Sequence, residues 1–365
     1  MVAAALAFLV LAAAPPIPPV PVAAGGAERA LAAWTPGEVR CDGGVVIADA
    51  QVRRPLGTLA WRAPNARQEI TLRFEIDASG RPISITREGT RFPSNDDIAP
   101  SLAVSRFPAK AQSACSVTYT ARIEPFASAP VADLVSYSVS PLSGRLPQQG
   151  WQRIREGGNC ADAPRQQPLN RVFPDFAALP ATPGVREWTL IAYDTNASGK
   201  PVNVRVQTGT GNKALDNAGV DAMRKSRFTG GARTGCTYPY WRSPETVPAP
   251  LMPEKSAFGS AEGCPSAGEW ASAPVLRFPQ AYSRRRIEGW AVVSYDIAPW
   301  GAVGNAKVLA AQPSDDFGRQ ALQVIQSARA APSQEGRSGC VERIRFAMEP
   351  RDTAGEADAE PITFQ

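Results

Sequence analysis

The sequence predicts an α+β fold in which a small module, a β-hairpin followed by an α-helix and a closing β-strand, occurs in tandem three times along 365 residues. Three observations carry this reading. Cysteines come as an even set at regular spacing, a glycine-centred strand pattern recurs three times, and a helical pattern follows each glycine.

The six cysteines are Cys41, Cys115, Cys160, Cys236, Cys264 and Cys340. Cys41 and Cys115 lie 74 positions apart, and the pairs Cys160 and Cys236, and Cys264 and Cys340, lie 76 apart. An exported chain meets an oxidising compartment, so a disulfide framework is expected. Pairing within each module would staple the segment entering it to its last strand. The rival scheme clasps the linkers, Cys115 to Cys160 and Cys236 to Cys264.

Gly80, Gly199 and Gly301 each sit in a turn, within IDASGRP, TNASGKP and IAPWGAV. Ahead of them stand Ile70, Leu72, Phe74 and Ile76, then Thr189, Ile191, Tyr193 and Thr195, then Ala291, Val293, Tyr295 and Ile297. Every second position is mostly apolar, which is the period of a half-buried strand. Ile83 and Ile85, Val202, Val204 and Val206, and Ala306 and Val308 supply the second strand of each hairpin. Helices follow, the third capped by Ser314 with Asp315 and Asp316 in its first turn and the second opened by Asn212. Asp96 with Asp97, and Asp315 with Asp316, therefore read as helix-start residues and not as catalytic pairs. Each module closes with a strand opening at its second cysteine, as in Cys115, Val117, Tyr119, Ala121 and Ile123.

Composition narrows the function. The chain has no histidine, which removes the commonest general base and metal ligand, and with them Ser-His-Asp and Cys-His chemistry. No enzyme, metal or cofactor is expected. The net charge of +5 comes from scattered arginines without a basic block, so no nucleic-acid partner is expected, and no small-molecule substrate is evident. Prolines number 35, nearly double the ~5% average, and point to stiff connections. Residues 1–24 read as a signal peptide, because the apolar run from Val2 to Ala14 is shorter than the ~20 residues that span a bilayer and runs into Pro15 and Pro16. An uncleaved inner-membrane anchor is the alternative. The modules are expected at 41–125, 160–248 and 264–350, with linkers at 126–159 and 249–263 and a polar tail at 351–365.

The stretch from Phe278 to Pro350 resembles the TonB C-terminal domain family. It keeps an aromatic-proline pair (Phe278 and Pro279), the basic run Arg284 to Arg286, Glu288-Gly289 before the first strand, the turn at Gly301, a helix, and the closing CVERIRFAMEP. The second module keeps Phe173-Pro174 and GKPVNVRV, with Arg186-Glu187 in place of Glu-Gly, and the first lacks the aromatic-proline opening. The resemblance implies a periplasmic binding domain that grips a short peptide of an outer-membrane receptor along its last strand, by β-augmentation. On this reading the partner is an envelope protein and the role lies in transport; the alternative is a structural envelope adaptor without energy transduction. The candidate partner-binding residues are Arg277, Val341, Arg343 and Arg345, the last two on the parity opposite Ile344 and Phe346. Arginines there equally serve to keep an edge unpaired.

Overall fold

The computed structural model describes residues 29–61, 68–89, 96–259, 261, 263–265 and 270–348. The expected signal peptide and the polar tail lie outside the described residues. The elements used below are β1 (Arg29–Pro36), β2 (Thr58–Trp61), β3 (Glu69–Ile76), β4 (Pro82–Arg87), α1 (Ile98–Ala103), β5 (Gln112–Glu124), α2 (Val131–Val139) and α3 (Gln148–Ile154). They continue with β6 (Glu187–Thr195), β7 (Pro201–Gly209), α4 (Lys213–Lys225), β8 (Arg233–Arg242), α5 (Gln280–Ser283), β9 (Gly289–Ile297), β10 (Val303–Gln312), α6 (Asp315–Gln326) and β11 (Arg337–Phe346).

Three units share one strand order. In each, the first hairpin strand lies between the second and the closing strand: β4-β3-β5, β7-β6-β8 and β10-β9-β11. All ladders are antiparallel. The cysteine of each closing strand stands opposite the aromatic of the first: Cys115 to Phe74, Cys236 to Tyr193 and Cys340 to Tyr295. Disulfides join Cys41 to Cys115, Cys160 to Cys236 and Cys264 to Cys340, so the linker-clasp scheme is absent.

The turn glycines are required twice over. Gly80, Gly199 and Gly301 have φ of 81°, 75° and 86°, and a Cβ on any of them would come within 2.1 Å of a carbonyl oxygen, of Phe107, Phe228 and Ala330 respectively. Those same three residues donate their amides to the glycine carbonyls, at 3.0, 3.0 and 2.9 Å, tying the end of each helix segment to its hairpin. In the first two turns the Asp77 and Asn196 side chains accept the amides two and four residues on, which holds the loop through local bonds.

Caps define the helices as expected. Asn212 accepts from the Leu215 amide and Ser314 from the Asp316 amide. Phe317, Ala321, Val324 and Ile325 form the buried stripe of α6. Only six residues make α1, too few to close a core alone. Residues of the third unit complete it: Ile85, Ile98 and Leu102 belong to one buried cluster with Tyr282, Ile287, Phe317 and Phe346.

The units are consequently joined and not strung out. Ile85 donates its amide to Pro313 at 2.9 Å, and the Ser84 amide donates to Gln312 Oε1 at 2.8 Å. Arg285 forms a buried ion pair with Asp97, its Nε 2.6 Å from Oδ1, and donates further to the carbonyls of Gly184 and Arg54. Asp97 also accepts the Leu56 amide. Asp97 stands at the start of α1 as expected, but its carboxylate makes no cap bond there; Asp96 accepts the Ile98 amide instead.

The two stretches expected as linkers are folded. Residues 126–159 carry α2 and α3, whose Leu134, Val135, Tyr137, Val139 and Ile154 pack with Trp188 and Leu190 of β6. Residues 249–258 lie over Trp290, Val292 and Val341 through Ala249, Met252 and Phe258, and the Trp290 indole donates to the Pro250 carbonyl. Both segments cover the sheet face away from the unit's own helix. The physical reason is in the strands: β6 and β9 are apolar on both parities and would otherwise expose that face. A further difference is β1, which precedes the expected first boundary at Cys41 and pairs along β5 with five consecutive buried residues, Ala30 to Trp34. Trp34 is in the core, while Trp61 is exposed beneath the Arg29 guanidinium.

Two outcomes follow. Replacing Arg285 by alanine leaves Asp97 buried without its charge partner and should cost about 3–5 kcal/mol in chemical unfolding, whereas Arg285→Met combined with Asp97→Leu should cost much less. Burial raises the phenols of Tyr119, Tyr240 and Tyr282, and pushes those of Tyr193 and Tyr295 up to about 12, against an ordinary value of 10.0. An unfolded chain releases these protons first, so stability is intact below pH 10 and falls as pH rises toward 12. Tyrosinate absorbance should accordingly appear together with loss of near-ultraviolet circular dichroism.

Candidate functional site

The site is built on the outer edge of β11. Which amides face outward is set by the first unit, where both sides of the closing strand are paired. Thr118 accepts the Gly37 amide on the β1 side at 2.8 Å, and Ala121 donates to Gln68 on the β3 side at 2.8 Å. Thr118 and Thr120 therefore turn their backbone groups outward. Counted from the cysteine, Arg343 and Arg345 hold those positions in β11, and Pro239 holds the first of them in β8.

The outward edges differ in chemistry. That of β5 is filled by β1, in register from Leu31 opposite Glu124 to Pro36 opposite Tyr119, which is strand addition within the chain. That of β8 lacks an amide at Pro239, which weakens any ladder there. At the start of β11, Gly339 accepts the Ala261 amide at 3.1 Å. Farther along, Arg345 is exposed.

The expected partner-binding residues are spread over this edge. Val341 is 2% exposed, its side chain turned under the strap of residues 249–258, so only its backbone lies on the edge. Arg343 donates to the Pro253 carbonyl at 3.1 Å and to Glu254 at 2.8 Å, within the chain. Arg277 is exposed and precedes Phe278, whose ring meets Phe346 edge-on at 5.9 Å, so Arg277 and Arg345 come to the same end of β11. Of the basic run, Arg285 is buried against Asp97 and is no surface charge; its acidic partner belongs to this chain.

A feature of units two and three escaped the sequence reading. Asn203 and Asn305 have φ of 53° and 49° at a bulge, and donate to Asp194 and Asp296. The second oxygen of each aspartate accepts the amide of Gly235 or Gly339, itself at φ 66° or 72°. The asparagine and then the glycine bonds hold both carboxyls below the usual carboxylate range. Each triad pins the start of the closing strand to both hairpin strands. In the first unit Glu75, Ser84 and Ala114 occupy these places, and Ser84 bonds Gln312 of the third unit instead. Asn at one left-handed position two strands from Gly at another was the available signal.

Residues 274–348 match the family described as Gram-negative bacterial TonB protein C-terminal. This TonB C-terminal-like span runs from just ahead of α5 to the end of β11 and covers the third unit alone. No curated protein matches the chain. Among the described residues no helix is long and apolar enough to cross a membrane.

The strap over β9 and β11 is held by three apolar side chains, the Trp290 bond to the Pro250 carbonyl and a few exposed polar bonds, a low-stability attachment. Phe258→Ser should speed hydrogen exchange at the Ala261 amide by about tenfold or more while leaving the β9 ladder protected.

Proposed function

We propose that the chain is a periplasmic TonB-like binding protein that recognises a short segment of an envelope protein, such as an outer-membrane receptor, by strand addition along β11, in association with transmembrane transport and without catalysis. On this reading all three units are copies of one module, of which the third binds. The observation that carries it is the pairing of β1 on β5: the same edge, in a unit of the same strand order, already accepts an antiparallel strand. The family of residues 274–348 supports the same edge in the third unit. Arg343 and Arg345, and Arg277 beside them, favour a segment with acidic side chains.

A second reading is a structural adaptor that holds envelope proteins together without energy transduction. It is favoured by the joining of the units through Arg285 and Asp97 and by the packing of both connecting stretches onto the sheets.

Cross-linking in the periplasm, followed by identification of the captured protein, separates the two: a receptor supports the first and a scaffold or wall component the second. Arg345→Pro removes one outward amide and should abolish capture, while Arg343→Glu should weaken an acidic segment's binding. Capture that survives both substitutions in a protein with its disulfides and circular dichroism intact would rule strand addition out.

A further inference from the structure

The strap over β9 and β11 is fastened firmly on either side and loosely along its length. Ahead of it Val247 is buried, donates its amide to Arg286 at 2.9 Å and accepts that of Glu288 at 3.0 Å. Beyond it Cys264 is bonded to Cys340 of β11. Of residues 248–259 none is buried, and Leu251 is 96% exposed. A segment pinned at both ends, with little buried surface between them, opens locally while the rest of the fold stays closed.

Its later part lies along the outward edge of β11. On the parity fixed by Thr118 and Thr120, the outward positions are Gly339, Val341, Arg343 and Arg345. The strap passes the first three in the antiparallel direction. Arg343 donates to the Pro253 carbonyl at 3.1 Å and to Glu254 at 2.8 Å, Lys255 pairs with Glu342 at 3.9 Å, and Ala261 donates its amide to Gly339 at 3.1 Å. Glu254 and Lys255 thus meet Arg343 and Glu342 with signs reversed, so charge sets the register of the strap in addition to its apolar contacts.

These contacts take up groups that a docked segment would use. An acidic side chain is what Arg343 favours in a partner, and Glu254 supplies one from within the chain. Both ion pairs are exposed, Glu254 by 83% and Lys255 by 43%, so each is weak by itself. Tethering offsets that weakness, because a strap held at both ends acts at the high effective concentration of an intramolecular ligand. Arg345 lies beyond the strap and is exposed, which leaves one charged outward position for a first encounter.

We infer, in a step that rests on the strand-addition reading, that residues 253–258 are a built-in competitor for the edge of β11. With the strap closed, Glu254 stands where an acidic side chain of the partner would, and the partner docks on the form in which these residues have lifted. Apparent affinity is then the intrinsic affinity reduced by the fraction of molecules that are open. Lifting spares Val247 and the Cys264–Cys340 bond, so the strap returns to the same register when the partner leaves.

Fluorescence titration of the full chain tests this, with a short labelled peptide of alternating threonine and glutamate as probe and its lysine counterpart as control. Phe258→Ser should bind the glutamate peptide about tenfold more tightly than the unaltered chain, which corresponds to a strap closed in about nine molecules of ten. Glu254→Gln, which removes one exposed ion pair, should tighten binding by about threefold. Arg345→Pro should abolish binding on each background, and the lysine peptide should gain nothing, which separates release of the edge from general stickiness of a loosened protein. Suppose that disulfides and circular dichroism are intact and Arg345→Pro still abolishes binding: no gain in Phe258→Ser, or none in Glu254→Gln, would then overturn the competitor and leave strand addition standing. Binding that survives Arg345→Pro, or no binding by any variant, would remove strand addition and the competitor with it.

Discussion

The ion pair between Arg285 and Asp97 is the contact on which the arrangement of the chain depends. Both side chains are almost wholly buried, and a buried charge is tolerated only when paired and hydrogen-bonded. Asp97 begins the helix of the first unit, Arg285 follows the short helix of the third, and the remaining guanidinium donors reach the carbonyls of Arg54 and of Gly184, just ahead of the second unit's sheet. Satisfying one guanidinium thus requires three distant stretches to meet. Apolar packing alone would allow sliding between units, whereas fixed donor directions set one register.

Two consequences follow from that meeting. The first unit can function with a six-residue helix because side chains of the third unit fill its core. The connecting stretches must then run across the molecule instead of away from it, and they do so over apolar sheet faces. The β3 strand of the first unit needs no such cover, for Arg73 and Glu75 on its outer parity are polar and exposed. In β6 and β9 the outer parity is Trp188 with Leu190 and Trp290 with Val292, and each pair is sealed by the segment that precedes it in the chain. Proline-rich composition, read as stiff spacing, here serves segments that pack as extended straps and short helices.

Much of the fold was legible because it rests on local rules. The positions of Gly80, Gly199 and Gly301, the caps at Asn212 and Ser314, and the cysteine spacing each encode geometry within a few residues or a fixed interval. The resemblance at Phe278 to Pro350 likewise fell on the span that the family matches. What was missed is non-local or two-sided. Nothing near Arg285 announces an aspartate 188 positions away. The run Arg29 to Pro36 has apolar residues at successive positions, which fits no single strand face, and it is buried on both. The doubled apolar parity of WTLIAY and WAVVSY could have revealed that something covers the second face, although not what. Of the candidate edge residues, the sequence placed Arg343 and Arg345 on one face correctly, but that Arg343 is held by Glu254 and Val341 roofed by the strap depends on a segment read as a linker.

An unpaired strand edge is a liability that folded proteins close unless it is used. This chain closes the first by adding β1 to β5 and blunts the second with Pro239, at a position where an outward amide would stand. The third edge is treated differently: a weakly held strap covers its beginning, at Gly339, and leaves exposed Arg345 beyond it without proline. A charged residue on an edge protects by repelling other copies of the same edge, since each carries the same sign, yet the same charge attracts a strand of opposite sign. Under the binding proposal, edge protection and selective docking are one device and not rival explanations of the arginines. The asymmetry among three similar edges, one filled, one blunted and one charged, is what gives the third its place in the binding proposal.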